Sequence, residues 1–145
     1  MKLRSVLFGL TVLSFNLALA AGTPPPATAA TAATATPVVP FEKAADFYNQ
    51  TKTIEGTIVG TFCDDQRCYL NFHSDFRKYV SAVIEAPVVK QLTPAATAEA
   101  RKTFLDGRYM GKKVQITGQI VEYRSKDPSK PGRPQILVTS PTSIK

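Results

Sequence analysis

Apolar residues fall on every second position between Thr53 and Phe62, where Ile54, Gly56, Ile58, Gly60 and Phe62 alternate with Thr53, Glu55, Thr57, Val59 and Thr61. A period of two sends the sets to opposite faces and predicts a long strand with the first set inward. Gly56 and Gly60 lie on that inward parity, where a missing side chain lets a strand bend. Shorter strands are predicted at Cys68 to Phe72 and Tyr79 to Ile84. Lys113 to Tyr123 alternates Val114, Ile116, Gly118 and Ile120 against Gln115, Thr117, Gln119 and Val121, and Gln135 to Thr139 closes the series. Two segments depart from this period. Behind Pro40, the run Phe41 to Tyr48 puts Ala44, Phe47 and Tyr48 near one face of a short helix. Thr93-Pro94 supplies an N-cap and a first-turn proline for a second helix, in which Ala96, Ala100 and Phe104 recur every four residues up to Gly107.

Three strands, a helix and two strands is the order of the OB-fold, so the pattern predicts an all-β domain with one inserted helix. Its architecture would be a small five-stranded Greek-key barrel (β-β-β-α-β-β), the kind that binds oligonucleotides or oligosaccharides on one face.

The segments TIEGTIVGTF, CYLNFHSDFRKYVSAVI, YMGKKVQITGQIVEY and RPQILVTSPTSI resemble bacterial OB-fold domains of exported proteins and of nucleic-acid-binding proteins related to the thermonuclease barrel. The resemblance runs from about Glu42 to Ile144, and "LNF", "GKKVQITGQI" and "RPQI" are its most specific parts. These are scaffold patterns, and they imply a fold more than an activity. Thermonucleases need arginines and carboxylates around calcium. The nearest candidates here, Asp64, Asp65 and Asp75 with Arg67 and Arg77, do not reproduce that set and read as solvated turn charges.

The N-terminal portion has a different composition. Lys2 and Arg4 precede an almost wholly apolar run from Val6 to Leu19, followed by Ala18-Leu19-Ala20, which marks residues 1–20 as a secretory signal. The apolar run falls short of the roughly 20 residues that a spanning helix needs, so no membrane span is expected, an N-terminal anchor being the alternative. Residues 21–40, nearly all Ala, Thr and Pro, cannot bury enough surface to offset the entropy of ordering and read as a disordered linker. The folded domain is then expected at residues 41–145. Loss of Lys2 and Arg4 lowers the formal charge from +7 to +5. A basic chain favours anionic partners, although a charge of this size also serves solubility.

Cys63 and Cys68, the only cysteines, flank the connection Asp64-Asp65-Gln66-Arg67 at the mouth of a predicted hairpin. Opposed strand residues bring their Cβ atoms near disulfide distance, and export supplies oxidant, so a structural disulfide is favoured. A redox motif would have two intervening residues. A metal site is writable as Cys63, Cys68, His73 and Asp75 but matches no zinc pattern, and free thiols are the other alternative. His73, the only histidine, lacks an obvious nucleophile partner and reads as a turn residue.

The last constellation is aromatic and cationic. If Leu70, Phe72, Val80 and Ala82 fill the core, Tyr69, Asn71, Tyr79 and Ser81 face out, with Arg77 and Lys78 beside them; Phe76 reads with Phe72 as core. The loop Tyr123 to Pro134 carries Arg124, Lys126, Lys130 and Arg133 against Asp127, and its prolines keep it projecting. Rings beside cations suit single strands, which stack bases on the rings and lay phosphates along the charges. The candidate ligand-binding residues are therefore Tyr69, Asn71, Arg77, Lys78, Tyr79, Tyr123, Arg124, Lys126, Lys130 and Arg133.

Together these features predict a monomeric binding module, periplasmic or secreted, with no catalytic residues, no metal and no cofactor. Its expected partner is single-stranded nucleic acid or another anionic polymer, bound without strong sequence specificity. One alternative is a cell-envelope module that docks on protein or serves a stress response; another is a degenerate nuclease-like enzyme.

Overall fold

The computed structural model describes residues 37–145. The segment expected to be a signal sequence (1–20) and residues 21–36 of the expected linker lie outside the described residues. Strands β1 (Val38–Pro40), β2 (Thr51–Thr57), β3 (Gly60–Cys63), β4 (Arg67–Asn71), β5 (Ser81–Glu85), β6 (Lys113–Tyr123) and β7 (Arg133–Val138) form one sheet in the order β1-β2-β6-β7-β5-β4-β3. The pairs β1 with β2 and β5 with β7 are parallel, and the others are antiparallel. Two α-helices, α1 (Ala86–Leu92) and α2 (Ala98–Tyr109), connect β5 to β6, and short 3-10 helices occupy Phe41–Phe47 and Pro141–Ser143. No helix among the described residues is long and apolar enough to cross a membrane.

The result is an open seven-stranded sheet, where the alternation predicted five strands, in an order consistent with an OB-fold-like barrel. One extra strand comes from a break in the long first strand. Ile58 donates its N–H to Lys112 O at 3.0 Å, while Val59 donates to Asn71 O at 2.9 Å. Consecutive residues thus bond toward opposite ends of the sheet order, and the chain passes from β2, beside β6, to β3, beside β4. No ladder joins the outermost strands β1 and β3. The other extra strand, β1, uses the last three residues assigned by composition to the linker, and Val39 there is buried.

The core lies on the inner face. Leu70, Ala82, Ile136 and Ile120 are register partners across β4, β5, β7 and β6, and all four are fully buried. Ile54, Ile58, Ile84 and Ile116 extend the same layer. Phe72 sits at one end of this layer, stacked on Phe41 of the first 3-10 helix with ring centroids 5.9 Å apart.

The helical region differs from expectation in two ways. Thr93 does not start a helix but ends one: its N–H donates to Val89 O, and its backbone is extended. Pro94 explains this, because proline drives the preceding residue out of the helical region. Helix α1 was not predicted; Pro87 stands in its first turn, and Val88 and Val89 are buried. Thr97 is the actual cap of α2, its hydroxyl accepting from Ala100 N–H at 3.2 Å. The buried residues of α2 are Arg101, Leu105 and Tyr109, one residue out of phase with the expected Ala96, Ala100 and Phe104. Gly111 follows at φ +73°, where glycine is favoured, and donates its N–H to Ile58 O at 2.8 Å, turning the chain into β6.

Candidate functional site

Cys63 and Cys68 are register partners with Cα atoms 4.1 Å apart, and they form a disulfide. Both sulfurs are thereby removed from the alternative metal set. The turn between them is built from its own side chains: the Asp64 carboxylate accepts from the N–H groups of Gln66 (2.8 Å) and Arg67 (2.6 Å). Buried Arg101 reaches this turn from α2 and donates to the carbonyls of Asp64 (3.4 Å) and Asp65 (3.3 Å), as well as to Ala96 O (3.0 Å) and Thr97 O (3.2 Å). This part of the hairpin is therefore fixed at both its covalent and its helical edge.

The outer face of the sheet starts beside that hairpin. Register partners share a face, so one row runs Phe62, Tyr69, Val83, Leu137, Gln119, and the next runs Gly60, Asn71, Ser81, Gln135, Val121. Arg133 pairs with Tyr123 at the end of β7 and β6. The loop after β4 places Phe76 over this face, and a groove of about 420 Å³ opens among Phe62, Tyr69, Asn71, Phe76, Ser81 and Arg133. That size lies within the usual range for ligand sites, roughly 300–1,000 Å³. A neighbouring groove of about 360 Å³ is lined by Arg77, Tyr123, Ser125, Lys130, Pro131 and Arg133. Arg133 belongs to both grooves, its guanidinium 4.9 Å from the Tyr123 ring centroid and 5.5 Å from that of Phe76. Phe62 and Tyr69, with centroids 5.9 Å apart, form the opposite wall.

Of the ten predicted ligand-binding residues, Tyr69, Asn71, Arg77, Tyr123, Lys130 and Arg133 line one or both grooves. Tyr79 lines neither; its ring packs on His73 at 4.3 Å and against Phe41 at 5.7 Å, and Lys78 Nζ lies 5.5 Å from the same ring. Ser81 stays on the outer face but is buried, at 2% exposure. Arg124 turns back on Glu122 through two 2.9 Å contacts, and Lys126 lines neither groove. Lys130 Nζ stands 3.7 Å from Asp127. Hydrogen bonds from the Ser129 hydroxyl and N–H hold the Asp127 carboxyl below the usual range, so it stays charged and offsets Lys130. Among the described residues, the loop's unpaired cations are Lys126 and Arg133.

Phe62 and Phe76 were assigned to the core by pattern, and both are exposed groove residues, Phe62 at 54%. The Ile58–Val59 break explains Phe62, because it buries Thr61 and turns Phe62 outward. Thr61 donates its hydroxyl to Asp106 Oδ1 of α2, and Lys102 Nζ contacts the same carboxylate at 2.6 Å. Burial raises the Asp106 pKa, but these two hydrogen bonds and the Lys102 charge hold it below the ordinary value. Two buried side-chain atoms among the described residues have no hydrogen-bond partner, Ser81 Oγ and Arg133 Nε, and both residues line the larger groove.

Neither protein-family models nor curated proteins give any match to the chain. Similar solved structures include the aspartyl-tRNA synthetase of Entamoeba histolytica, 14% identical over 92% of this chain and 28% of that one, with a TM-score of 0.48. Another is the asparaginyl-tRNA synthetase of the same organism, 19% identical over 76% of this chain and 23% of that one, with a TM-score of 0.47. The chain thus spans less than a third of either enzyme's length, and its OB-fold-like character rests on its own strand order and helix placement.

Proposed function

We propose that this chain is a non-catalytic module that binds single-stranded nucleic acid along the two grooves joined by Arg133. On this reading β2 and β3 are the halves of one coiled first strand, and the grooves lie on the barrel face that OB-folds use for oligonucleotides. The observation that carries the proposal is the set of four rings, exposed Phe62, Phe76 and Tyr123 with half-buried Tyr69, along a trough whose shared wall is a guanidinium. Bases stack on such rings for about 1–3 kcal/mol each, while Arg77, Lys130 and Arg133 follow phosphates. The disulfide supports an oxidising location, periplasmic or secreted. Two of the three acidic candidates for a nuclease centre are engaged elsewhere: Asp64 closes its turn, and Asp75 accepts from Arg77 N–H at 3.3 Å. No hydrolysis of nucleic acid is therefore expected with calcium or magnesium supplied.

An anisotropy titration with labelled single strands, heparin-like glycan and mixed lipid vesicles tests this. Tyr69→Ala should cost about 1–3 kcal/mol for single strands and much less for glycan, which has no bases to stack. Lys126→Ala, Lys130→Ala and Arg133→Ala together should weaken all anionic polymers and flatten the slope of log K against log salt by up to about 2, from roughly 0.7 per phosphate contact. Exposed Phe62 and Val59 favour a second reading, docking of an envelope protein. If neither change alters binding to any anionic polymer, that reading replaces the first.

A further inference from the structure

We infer that the larger groove is a subsite for one nucleobase bearing a ring carbonyl, whose edge is read by the Ser81 hydroxyl and the Arg133 Nε–H. This rests on the single-strand reading above and goes beyond stacking.

Ser81 Oγ and Arg133 Nε are buried and unpartnered, and both residues line this groove. Leaving a buried polar group without a hydrogen bond is costly, so native chains do it rarely, and two such groups on one groove point to a function there. Ser81 is 2% exposed in the middle of the sheet, fixed by register between Asn71 on β4 and Gln135 on β7. Arg133 lies against the Tyr123 and Phe76 rings, which orient its guanidinium plane.

The ligand's shape follows from the walls, and its polarity from these two atoms. Phe62 and Tyr69 on one side and Phe76 on the other present aromatic carbon, which suits a flat ring. Gly60, opposite Asn71, adds no side chain to this part of the face. A guanidinium Nε–H only donates, and a hydroxyl donates as readily as it accepts, so the matching edge must offer acceptors. A carbonyl oxygen has two lone pairs and can accept from both donors at once; guanine, cytosine, thymine and uracil each carry one, whereas adenine offers only ring-nitrogen acceptors with a single lone pair each. The Asn71 amide lines the same groove and can donate or accept beside them. An apolar side chain of a protein partner would fill the groove but leave both polar atoms unpaired, which argues for a heterocycle.

The test is an anisotropy titration of the whole chain with labelled thymidine octamers in which one thymine at a time is replaced by 2,4-difluorotoluene. This isostere keeps the shape and stacking of thymine but gives up its carbonyl acceptors. At one position the replacement should weaken binding about tenfold to a hundredfold, the effect of losing hydrogen bonds to a charged donor. In Ser81→Ala that sensitivity should shrink several-fold, with a melting temperature equal to or above that of the parent, because the hydroxyl lost has no partner in the free protein. Arg133→Lys, which keeps the charge, should also reduce the sensitivity while largely preserving the salt dependence. If octamers bind but thymine and isostere are equivalent at every position, the base-edge inference fails and the stacking interface stands. If thymidine octamers do not bind at all, both readings fall together.

Discussion

Two clusters of aromatic rings flank β4 and are built from similar residue types, yet they are finished differently. In the first, Phe41, Phe72, His73 and Tyr79 pack on one another at centroid distances of 4.3 to 6.4 Å. His73 also accepts the Asp75 N–H at Nδ1, at 2.9 Å, so even its polar edge is used within the cluster. In the second, Phe62 and Tyr69 meet at 5.9 Å, but Phe76 and Tyr123 meet a guanidinium instead of a ring, and a groove stays open among them. The first cluster plugs one end of the core, whereas the second stays open to solvent. A ring beside a cation in sequence is common to both, so what separates packing from recognition is whether other rings close over the faces.

The largest effect should come from Phe72, the most buried ring of the closed cluster. Phe72→Ala should cost about 3–5 kcal/mol of stability. Phe62→Ala should stay within about 0.5 kcal/mol, since its ring is mostly in solvent. Urea unfolding of both variants measures this, and equal costs would erase the distinction between the clusters.

A smaller and reciprocal effect is expected of two tyrosines with the same sequence appearance. Tyr79→Ala should lose about 1–3 kcal/mol of stability and leave oligonucleotide affinity unchanged. Tyr69→Ala should do the opposite, holding its melting temperature and losing affinity. A Tyr79 variant that stays folded but no longer binds would move the interface to the closed cluster.

The smallest effect concerns acid. Asp106 accepts from Thr61 on β3, the strand that carries Phe62, and its folded pKa lies below its ordinary value of 3.8. Such a group contributes stability above the unfolded value, and loses it as pH falls through about 3.8 toward the lower folded value. The contribution should be about 0.2–1 kcal/mol. Amide exchange followed down this window should show β3 loosening before the Phe41–Phe72 stack, and Asp106→Asn should abolish the dependence.

Much of the scaffold was legible because a period of two survives wherever one face is buried. Lys113 to Tyr123 matches β6 at both ends, and the inward set Leu70, Phe72, Val80 and Ala82 is buried as expected. The misses have physical causes. Phe62 was misassigned because the bend at Ile58–Val59 resets the parity, and alternation carries no mark of a bend that backbone bonds create. Helix α1 was invisible because APVVKQL is too short to show a helical period. The phase of α2 was missed because its face is anchored by Arg101, a residue type that pattern assigns to solvent. Tyr79 and Phe76 depend on where a loop lays them, and loop placement is a tertiary property. The two unpartnered atoms in the groove are likewise visible only once three strands stand side by side.

The partnership of β2 with β6 also sets a timetable. The hydroxyls of Thr53 and Thr117 meet at 2.8 Å although they are 64 residues apart in the chain. The strips β3, β4 and β5 can zip up from neighbours already made, but β2 has to wait for nearly the whole domain to be synthesised. Pairings this distant carry a large loop-closure entropy before any contact rewards it, which places folding on the millisecond-to-second scale of other barrels. During that interval Ile54 and the open edge of β2 have no cover, so a chain arrested before Lys113 would expose a ready template for intermolecular pairing.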